Sequence, residues 1–216
     1  MTLDEAVGLT QPVNRDSGAS AQRRLDRLTK PLGSLGRLEE MAVHYAMITG
    51  DVKPNVPRGV VFTFAADHGV AREGVSAYPS EVTPQMVLNF LRGGAGVNVL
   101  ARHTGVEVRV VDIGVAYDFG SVPGLIQKKI MQGTNNLFRE PAMSRAQAIQ
   151  ALQVGIDLAT EAAREGIGLI GTGEMGIGNT TPSAAITAIM TGRPVADVTG
   201  RGTGIDEAGR VRKVQV

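Results

Sequence analysis

The sequence predicts an α/β fold: a doubly wound, mostly parallel sheet with helices on both faces, plus a smaller helical subdomain. Apolar, valine-rich segments of strand length alternate with segments of helical periodicity along most of the 216 residues. The strand segments carry no polar alternation, which is typical of parallel strands covered by helices on both sides. We assign residues 1–50 to a helical N-terminal segment, either a small subdomain or a dimer arm, and residues 51–216 to the α/β domain.

The N-terminal segment contains two predicted helices. Ser20–Thr29 has an apolar face flanked by arginines, and the sequence KPLGS at 30–34 ends it. The second helix is expected from about Leu35 to Thr49, with Gly50 as its C-cap.

Three strands are predicted in the α/β domain. The first, Gly59–Ala66, leads into Asp67-His68-Gly69, and the second, Val106–Val111, leads into the residues at 112–114. The third, at 167–170, leads into a long glycine-rich stretch. In parallel sheets, ligands bind beyond the carboxyl ends of the strands. We therefore expect these three strand ends to meet at one binding site.

The helices between the strands have recognisable beginnings. Thr83-Pro84 matches an N-cap followed by proline at the first helical position. Ser144 and Gln147 form a capping box before a long helix that ends near Gly166. The insertion at 116–143 is expected to join the helical subdomain or the dimer arm.

The segment 167–182, IGLIGTGEMGIGNTTP, is the most informative part of the chain. We interpret it as a strand, a glycine loop, and a helix beginning at Thr181 (N-cap) and Pro182. Such a loop presents backbone N–H groups and a helix N-terminus to an anion such as a phosphate. A carboxylate beside a phosphate is repelled by it, so we expect Glu174 to face a ribose hydroxyl or a reacting base.

The same segment also matches the dinucleotide fingerprint, Gly171-x-Gly173-x-x-Gly176. Three further residues, 178–180, precede the predicted helix, whereas the dinucleotide helix opens within the glycines. Asp197 could supply the acidic residue that this motif requires. An NAD(P)-binding oxidoreductase domain therefore stays open as an alternative, as does a purely structural glycine turn.

The C-terminal segment contains a second glycine loop, Gly200–Gly204, followed by an acidic first helical turn. The helix runs to Val216 without a cap, so we expect the α/β domain to be incomplete at its C-terminus. Lys213 lies two turns into this helix and can reach back toward an anion at the loop. Considered alone, a solvated surface lysine is the commoner situation.

Composition excludes several classes of function. A net charge of +1 with 20% charged residues indicates neither a nucleic-acid nor a membrane-surface partner. The chain has no cysteine, which excludes disulfides, thiolate zinc sites and cysteine nucleophiles. No signal peptide or membrane-spanning run is evident, so we expect a cytoplasmic protein. His44 and His103 lack partners at ligand spacing and His68 resembles a turn residue, so no metal site is expected.

Four motifs in order identify a resemblance that covers nearly the whole chain: 30–39 (KPLGSLGRLE), 66–70 with 73–75 (ADHGV, EGV), 173–182 (GEMGIGNTTP) and 200–204 (GRGTG). The sequence resembles nicotinate-nucleotide:dimethylbenzimidazole phosphoribosyltransferases. The resemblance implies a doubly wound domain with a smaller helical domain, a homodimer, small-molecule substrates and no cofactor. It implies transfer of 5-phosphoribosyl from nicotinate mononucleotide to 5,6-dimethylbenzimidazole or a related base, which gives α-ribazole 5′-phosphate and nicotinate in cobalamin biosynthesis.

The resemblance also implies roles for individual residues. Glu174 would lie near the ribose and the acceptor base. The phosphate and ribose would be bound by residues of the two glycine loops and the last helix, namely Gly176, Asn179, Thr180, Gly202 and Lys213. The acceptor-base pocket would involve the segment after the first strand, with Asp67, His68, Ser76, Tyr78, Ser80, Gln85 and Met86. Some members have serine and glutamine where this chain aligns Tyr78 and Met86.

Family members extend well beyond this C-terminus, and the family's general-base glutamate lies in that additional part. The chain is therefore expected to turn over slowly or not at all on its own. An inactive, nucleotide-binding truncated form is a further alternative.

Overall fold

The computed structural model describes all 216 residues, Met1–Val216. The chain divides into two compact units, Met1–Pro57 and Arg58–Val216. The first unit contains α1 (Leu3–Gly8), α2 (Arg15–Asp26) and α3 (Arg37–Thr49). The second contains β1 (Arg58–Ala66), a 3-10 helix (Gly69–Glu73), α4 (Val82–Leu91), α5 (Gly96–Thr104), β2 (Glu107–Gly114), β3 (Leu125–Gln127), α6 (Arg145–Arg164), β4 (Ile167–Met175), α7 (Thr180–Thr191), α8 (Val195–Val198) and α9 (Glu207–Gln215). None of these helices has the length and apolar character needed to cross a membrane.

The first unit has both predicted helices, with shifted ends. The helix α2 begins at Arg15, before the predicted Ser20, because the Asn14 side chain caps it by accepting from the Ser17 N–H at 3.0 Å. The helix α3 ends at Thr49 as predicted, and Gly50 follows it with φ +71°.

The second unit is built on a four-stranded, all-parallel sheet with the order β3-β2-β1-β4. Each face of the sheet carries its own apolar layer. One layer packs α6 against the strands through Val60, Phe62, Val111, Leu158, Ala162 and Ile167. The other packs α4 and α5 against the opposite face through Ala65, Val87, Phe90, Ala95, Val110 and Val115. The predicted fold class, a parallel sheet with helices on both faces, is confirmed.

The sequence predicted the third strand at 167–170, which is shorter than the strand in the structure. The strand β4 continues to Met175 because its glycines pair with β1, Gly171 opposite Val61 and Gly173 opposite Thr63. A side chain at Gly171 would come within 3.1 Å of Val61 Cγ2, so the glycine permits close contact with β1. Glu174 therefore lies on the strand and not on a loop.

Two predicted N-caps are wrong. The helix α4 begins at Val82 and α7 at Thr180, each one residue before the predicted threonine cap. The Thr83 hydroxyl instead accepts from the Ile177 N–H at 3.1 Å, and the Thr181 hydroxyl is buried without a partner.

The insertion at 116–143 contains no helix and belongs to the second unit, so it does not join the helical N-terminal segment; its role as a dimer arm stays a prediction. It contributes the short edge strand β3, which pairs with β2.

Candidate functional site

The order of the strands determines where a site can form. The chain leaves β1 toward β2 on one side, while β4 lies against the other side of β1. Connections that diverge in this way leave a crevice at the carboxyl ends of the two strands. The parallel pairing places Ala66 opposite Gly114 and Ala65 opposite Met175. The three strand ends thus meet at one edge of the sheet, as predicted.

A first cavity of about 250 Å³ lies at the end of β4, and we call it the β4 cavity. It is formed by β4, the N-terminus of α7, the second glycine loop and the segment after the 3-10 helix. Its lining includes Ser76, Glu174, Gly176, Asn179, Thr180, Gly202 and Thr203. Five of the residues predicted to contact the phosphoribosyl group therefore surround one space, and Thr203 is an addition to them.

Lys213 reaches the wall of this cavity from α9. Its residue is only 2% exposed, and its Nζ donates to Thr180 Oγ1 at 2.5 Å. No carboxylate lies within ion-pair distance of this ammonium group, and burial lowers its pKa. The alternative of a solvated surface lysine is wrong. A buried cation without a counter-charge is costly, and an anion at Thr180 would supply the missing partner.

Gly202 adjoins this lysine. A Cβ at position 202 would lie 2.6 Å from Thr180 Oγ1 and 3.1 Å from Lys213 Nζ, and the residue has φ +55°. Both the close approach and the left-handed backbone require glycine. The second glycine loop is thereby brought directly against the lysine and the start of α7.

Glu174 is the second-to-last residue of β4, and its side chain is open to the β4 cavity. Desolvation by the surrounding protein raises the pKa of its carboxyl group, and the Asn179 side chain offsets part of that increase. A carboxylate with a raised pKa in a cleft is typical of groups that exchange protons or bind hydroxyls.

A second cavity of about 620 Å³ lies at the end of β1, and we call it the β1 cavity. Four residues of the predicted acceptor pocket line it: Asp67, His68, Ser80 and Gln85. It is also lined by residues that the sequence did not suggest, including Arg72, Tyr117, Gln132 and Thr134. The last three come from the irregular segment after β2, which an isolated bridge between His68 and Thr134 joins to the end of β1.

The other three predicted pocket residues lie elsewhere. Ser76 lines the β4 cavity, whereas Ser80 lines the β1 cavity, so the chain passes from one cavity to the other between these two residues. Tyr78 is 56% exposed and lines neither cavity. Met86 packs into the apolar layer beneath α4 and α5, where helical periodicity directs it inward.

His68 stands between the two cavities. It lines the β1 cavity, and its Nε2 lies 2.8 Å from where a Cβ at Gly176 would be, in the wall of the β4 cavity. Burial lowers the pKa of this imidazole, and the charge of Asp67 opposes that effect. Asp67 Oδ2 accepts from the Ala116 N–H at 2.8 Å, while Asp67 Oδ1 is buried without a partner.

The end of β2 shapes the β1 cavity without lining it. Asp112 is 2% exposed and accepts from the N–H groups of Gly114 and Val115 at 3.1 and 2.9 Å. It also pairs with Lys129 at 3.2 Å, and Lys129 donates to the carbonyls of Val115 and Tyr117. These bonds fix the loop that carries Tyr117.

The dinucleotide alternative finds no support in this geometry. That motif needs its first two glycines in the turn between strand and helix, whereas Gly171 and Gly173 lie within β4. No group of three or more His, Asp or Glu side chains is arranged to hold a metal ion. His44 and His103 lie on α3 and α5, in different units.

Known proteins are similar to this chain in both sequence and fold. A family model described as phosphoribosyltransferase matches residues 10–216. A curated relative from Geobacter sulfurreducens, named nicotinate-nucleotide–dimethylbenzimidazole phosphoribosyltransferase, is 64% identical over 214 residues. Another with the same name, from Chloroflexus aggregans, is 56% identical. Each alignment covers 99% of this chain and 61% of the relative, so the chain spans 61% of their length.

A solved structure is also similar to this chain in sequence and fold. The crystal structure of CobT from Thermus thermophilus superimposes with a TM-score of 0.88 at 50% identity, covering 93% of this chain and 60% of that one. The family match extends over both glycine loops, Glu174 and Lys213. The chain therefore belongs to this phosphoribosyltransferase family.

Proposed function

We propose that this protein transfers 5-phosphoribosyl from nicotinate mononucleotide to 5,6-dimethylbenzimidazole or a related base. The products are α-ribazole 5′-phosphate, a precursor of the lower ligand of cobalamin, and nicotinate. The observation that carries the proposal is Lys213, an ammonium group that is 2% exposed and has a hydroxyl as its only partner. The names of the relatives supply the two substrates.

In this proposal the substrate's phosphate binds at the start of α7, beside Gly202 and within reach of Lys213, with Asn179 and Thr180 as further donors. The ribose lies against Glu174 along the β4 cavity. The acceptor base occupies the β1 cavity, beside His68, with Ser80 and Gln85 available as hydrogen-bonding groups. The contact between His68 and Gly176 supports this arrangement, because it makes the two cavities neighbours.

The reaction is a displacement at C1′ of the ribose. A ring nitrogen of the acceptor attacks C1′ as the bond from C1′ to nicotinate breaks, and the other ring nitrogen loses its proton. Attack from the face opposite the departing nicotinate converts a β to an α nucleotide. By resemblance, the general base is a glutamate beyond this chain, so the residues present act chiefly by positioning the two rings and the phosphate.

Calorimetric titration tests the assignment of the phosphate. Lys213→Ala should weaken binding of nicotinate mononucleotide by about 10- to 150-fold, because one charge-assisted contact contributes about 1.5–3 kcal/mol. Nicotinate riboside, which lacks the phosphate, should bind the variant and the original protein equally. Lys53→Ala, which removes an exposed lysine from the first unit, is the matched control. Equal losses for both ligands would show that Lys213 supports the fold and not the phosphate.

We also propose that the protein forms a homodimer. Support comes from the resemblance and from large apolar side chains that α7 and β4 leave exposed, namely Ile186, Ile189, Met190, Leu169 and Ile170. Sedimentation velocity at several concentrations tests this proposal.

A further inference from the structure

Thr203 connects parts of the site that are far apart in sequence. It follows Gly202, which lies against Thr180 and Lys213. Its Oγ1 accepts from the Ala77 N–H at 2.9 Å and shares a hydrogen bond of 2.9 Å with Ser76 Oγ. One side chain therefore joins the second glycine loop to the segment that follows the 3-10 helix.

That segment, residues 75–81, runs from one cavity to the other, and we call it the bridging segment. Val75 and Ser76 line the β4 cavity, whereas Ser80 and Glu81 line the β1 cavity. Val75 is 2% exposed and anchors its beginning, and the Tyr78 N–H donates to Ser76 Oγ at 3.3 Å. Ala77, which is bonded to Thr203, thus lies three residues before Ser80 in the same segment.

The second glycine loop, Gly200–Gly204, has few internal hydrogen bonds. Gly202 and Gly204 both have positive φ, and the residues from Gly200 to Gly204 are exposed. Exposed glycine-rich loops lie at the low end of local stability, and a ligand that contacts them orders them. A phosphate at Lys213 would contact Gly202 and thereby hold Thr203 in place.

We propose, on the basis of the function proposed above, that Thr203 is a positioning residue that couples the two cavities. Phosphate binding orders the loop, Thr203 then fixes Ser76 and Ala77, and the bridging segment presents Ser80 to the acceptor base. The entropy cost of ordering the segment then falls on the binding of the mononucleotide. The base therefore binds a cavity that is already ordered. By linkage, each ligand strengthens the binding of the other by the same factor.

Hydrogen exchange with nicotinate mononucleotide as the probe tests the coupling. In the original protein, the ligand should slow exchange both at 176–181, next to the phosphate, and at Ala77 in the bridging segment. The expected slowing at Ala77 is about 2- to 12-fold, the factor that one net hydrogen bond supplies. Thr203→Val, which has nearly the same shape without the hydroxyl, should keep protection at 176–181 and lose it at Ala77.

Two further variants separate coupling from a simple structural role. Thr203→Ser retains the hydroxyl and should restore ligand-dependent protection at Ala77. Thr160→Val removes a threonine hydroxyl from α6, where it bonds only to the Ile156 carbonyl, and should behave like the original protein. Protection at 176–181 without any change at Ala77 in the original protein would overturn the coupling alone. Absence of protection in both segments would overturn the proposed function, and the coupling with it.

Discussion

At the scale of single residues, the site holds two ionisable groups in unfavourable surroundings. Burial lowers the pKa of Lys213, and desolvation raises the pKa of Glu174. In each case the protein disfavours the charged form, which costs stability in the ligand-free state. Groups kept at such a cost commonly serve binding or catalysis.

Lys213→Met should therefore stabilise the ligand-free protein, by about 0.5–2 kcal/mol at neutral pH, while abolishing the phosphate contact. The pH dependence follows from the lowered pKa. Between that pKa and the ordinary value of 10.5, the unfolded chain binds more protons, so the unfolding free energy of the original protein rises with pH. The variant lacks this rise, and its advantage should shrink toward about pH 10. Urea unfolding across this range measures both effects, and a variant less stable at neutral pH would contradict them.

In a protein that includes the family's C-terminal general base, Glu174→Gln should lower phosphoribosyl transfer by about 100-fold, the size of effect expected when a reacting group is misplaced. The variant should keep its stability, because the raised pKa makes the ionised carboxyl a stability cost above its ordinary range. Turnover and urea unfolding are measured on the same preparations. If the variant melts early while its folded fraction transfers at the full rate, Glu174 is a structural residue.

At the scale of secondary-structure elements, the site depends on bonds between helices and strand ends. Thr83, which is fully buried on α4, accepts from the Ile177 N–H just beyond β4. This single hydrogen bond joins the helix on one face of the sheet to the glycine loop of the β4 cavity.

Thr83→Val should cost about 1–3 kcal/mol of unfolding free energy, because it leaves the Ile177 N–H buried without an acceptor. Thr83→Ser keeps the acceptor and should lose only the smaller effect of one methyl group. Denaturant midpoints of the two variants give the comparison. Equal losses would attribute the role of Thr83 to packing and not to hydrogen bonding.

The sequence predicted well those elements whose ends are determined by interactions between residues close together in the chain. The capping box of Ser144 and Gln147 is present with both of its bonds, since neither depends on distant parts of the chain. The same reasoning failed at Thr83 and Thr181, where tertiary packing buries the hydroxyls. It also failed at β4, because pairing with β1 turns glycines that favour a loop into strand residues.

The residues of the candidate site also fall into a group that the sequence predicted and a group that it did not. Most residues of the β4 cavity come from two short stretches of sequence, 174–180 and 202–203, and five of them were named from the sequence and its resemblance. Arg72, Tyr117, Gln132 and Thr134 could not, because they lie in stretches without periodicity and reach the β1 cavity only through tertiary contacts. Lys213 required the resemblance, since its own helix pattern favoured a surface position.

At the scale of the whole molecule, β4 and α7 of the second unit leave large apolar side chains exposed. The strand β4 forms an edge of the sheet, and Leu169 on it is 53% exposed. On α7, Ile189 and Met190 are 82% and 80% exposed. Exposed apolar side chains and an open sheet edge each favour association.

The double variant Ile189→Glu with Met190→Lys should therefore shift the protein toward monomer without unfolding it, because both side chains already lie in solvent. Sedimentation velocity over a range of concentrations measures the shift, and circular dichroism verifies the fold. The variant Val56→Glu with Val7→Lys, which changes two exposed valines of the first unit, is the control. Unchanged sedimentation of the α7 variant would place the association surface elsewhere.

The position of Lys213 on α9 also has a consequence for the way the protein is made. Translation at about 5–20 residues per second adds Lys213 roughly 2–8 s after Glu174, so β4 leaves the ribosome before α9 does. A nascent chain at that point has the glycine-rich residues after β4 but lacks the ammonium group of Lys213. The proposed phosphate site is thus completed only when α9 has left the ribosome and docked. A polypeptide that ends before α9 would contain all four strands but no Lys213, and we expect it to bind nicotinate mononucleotide weakly.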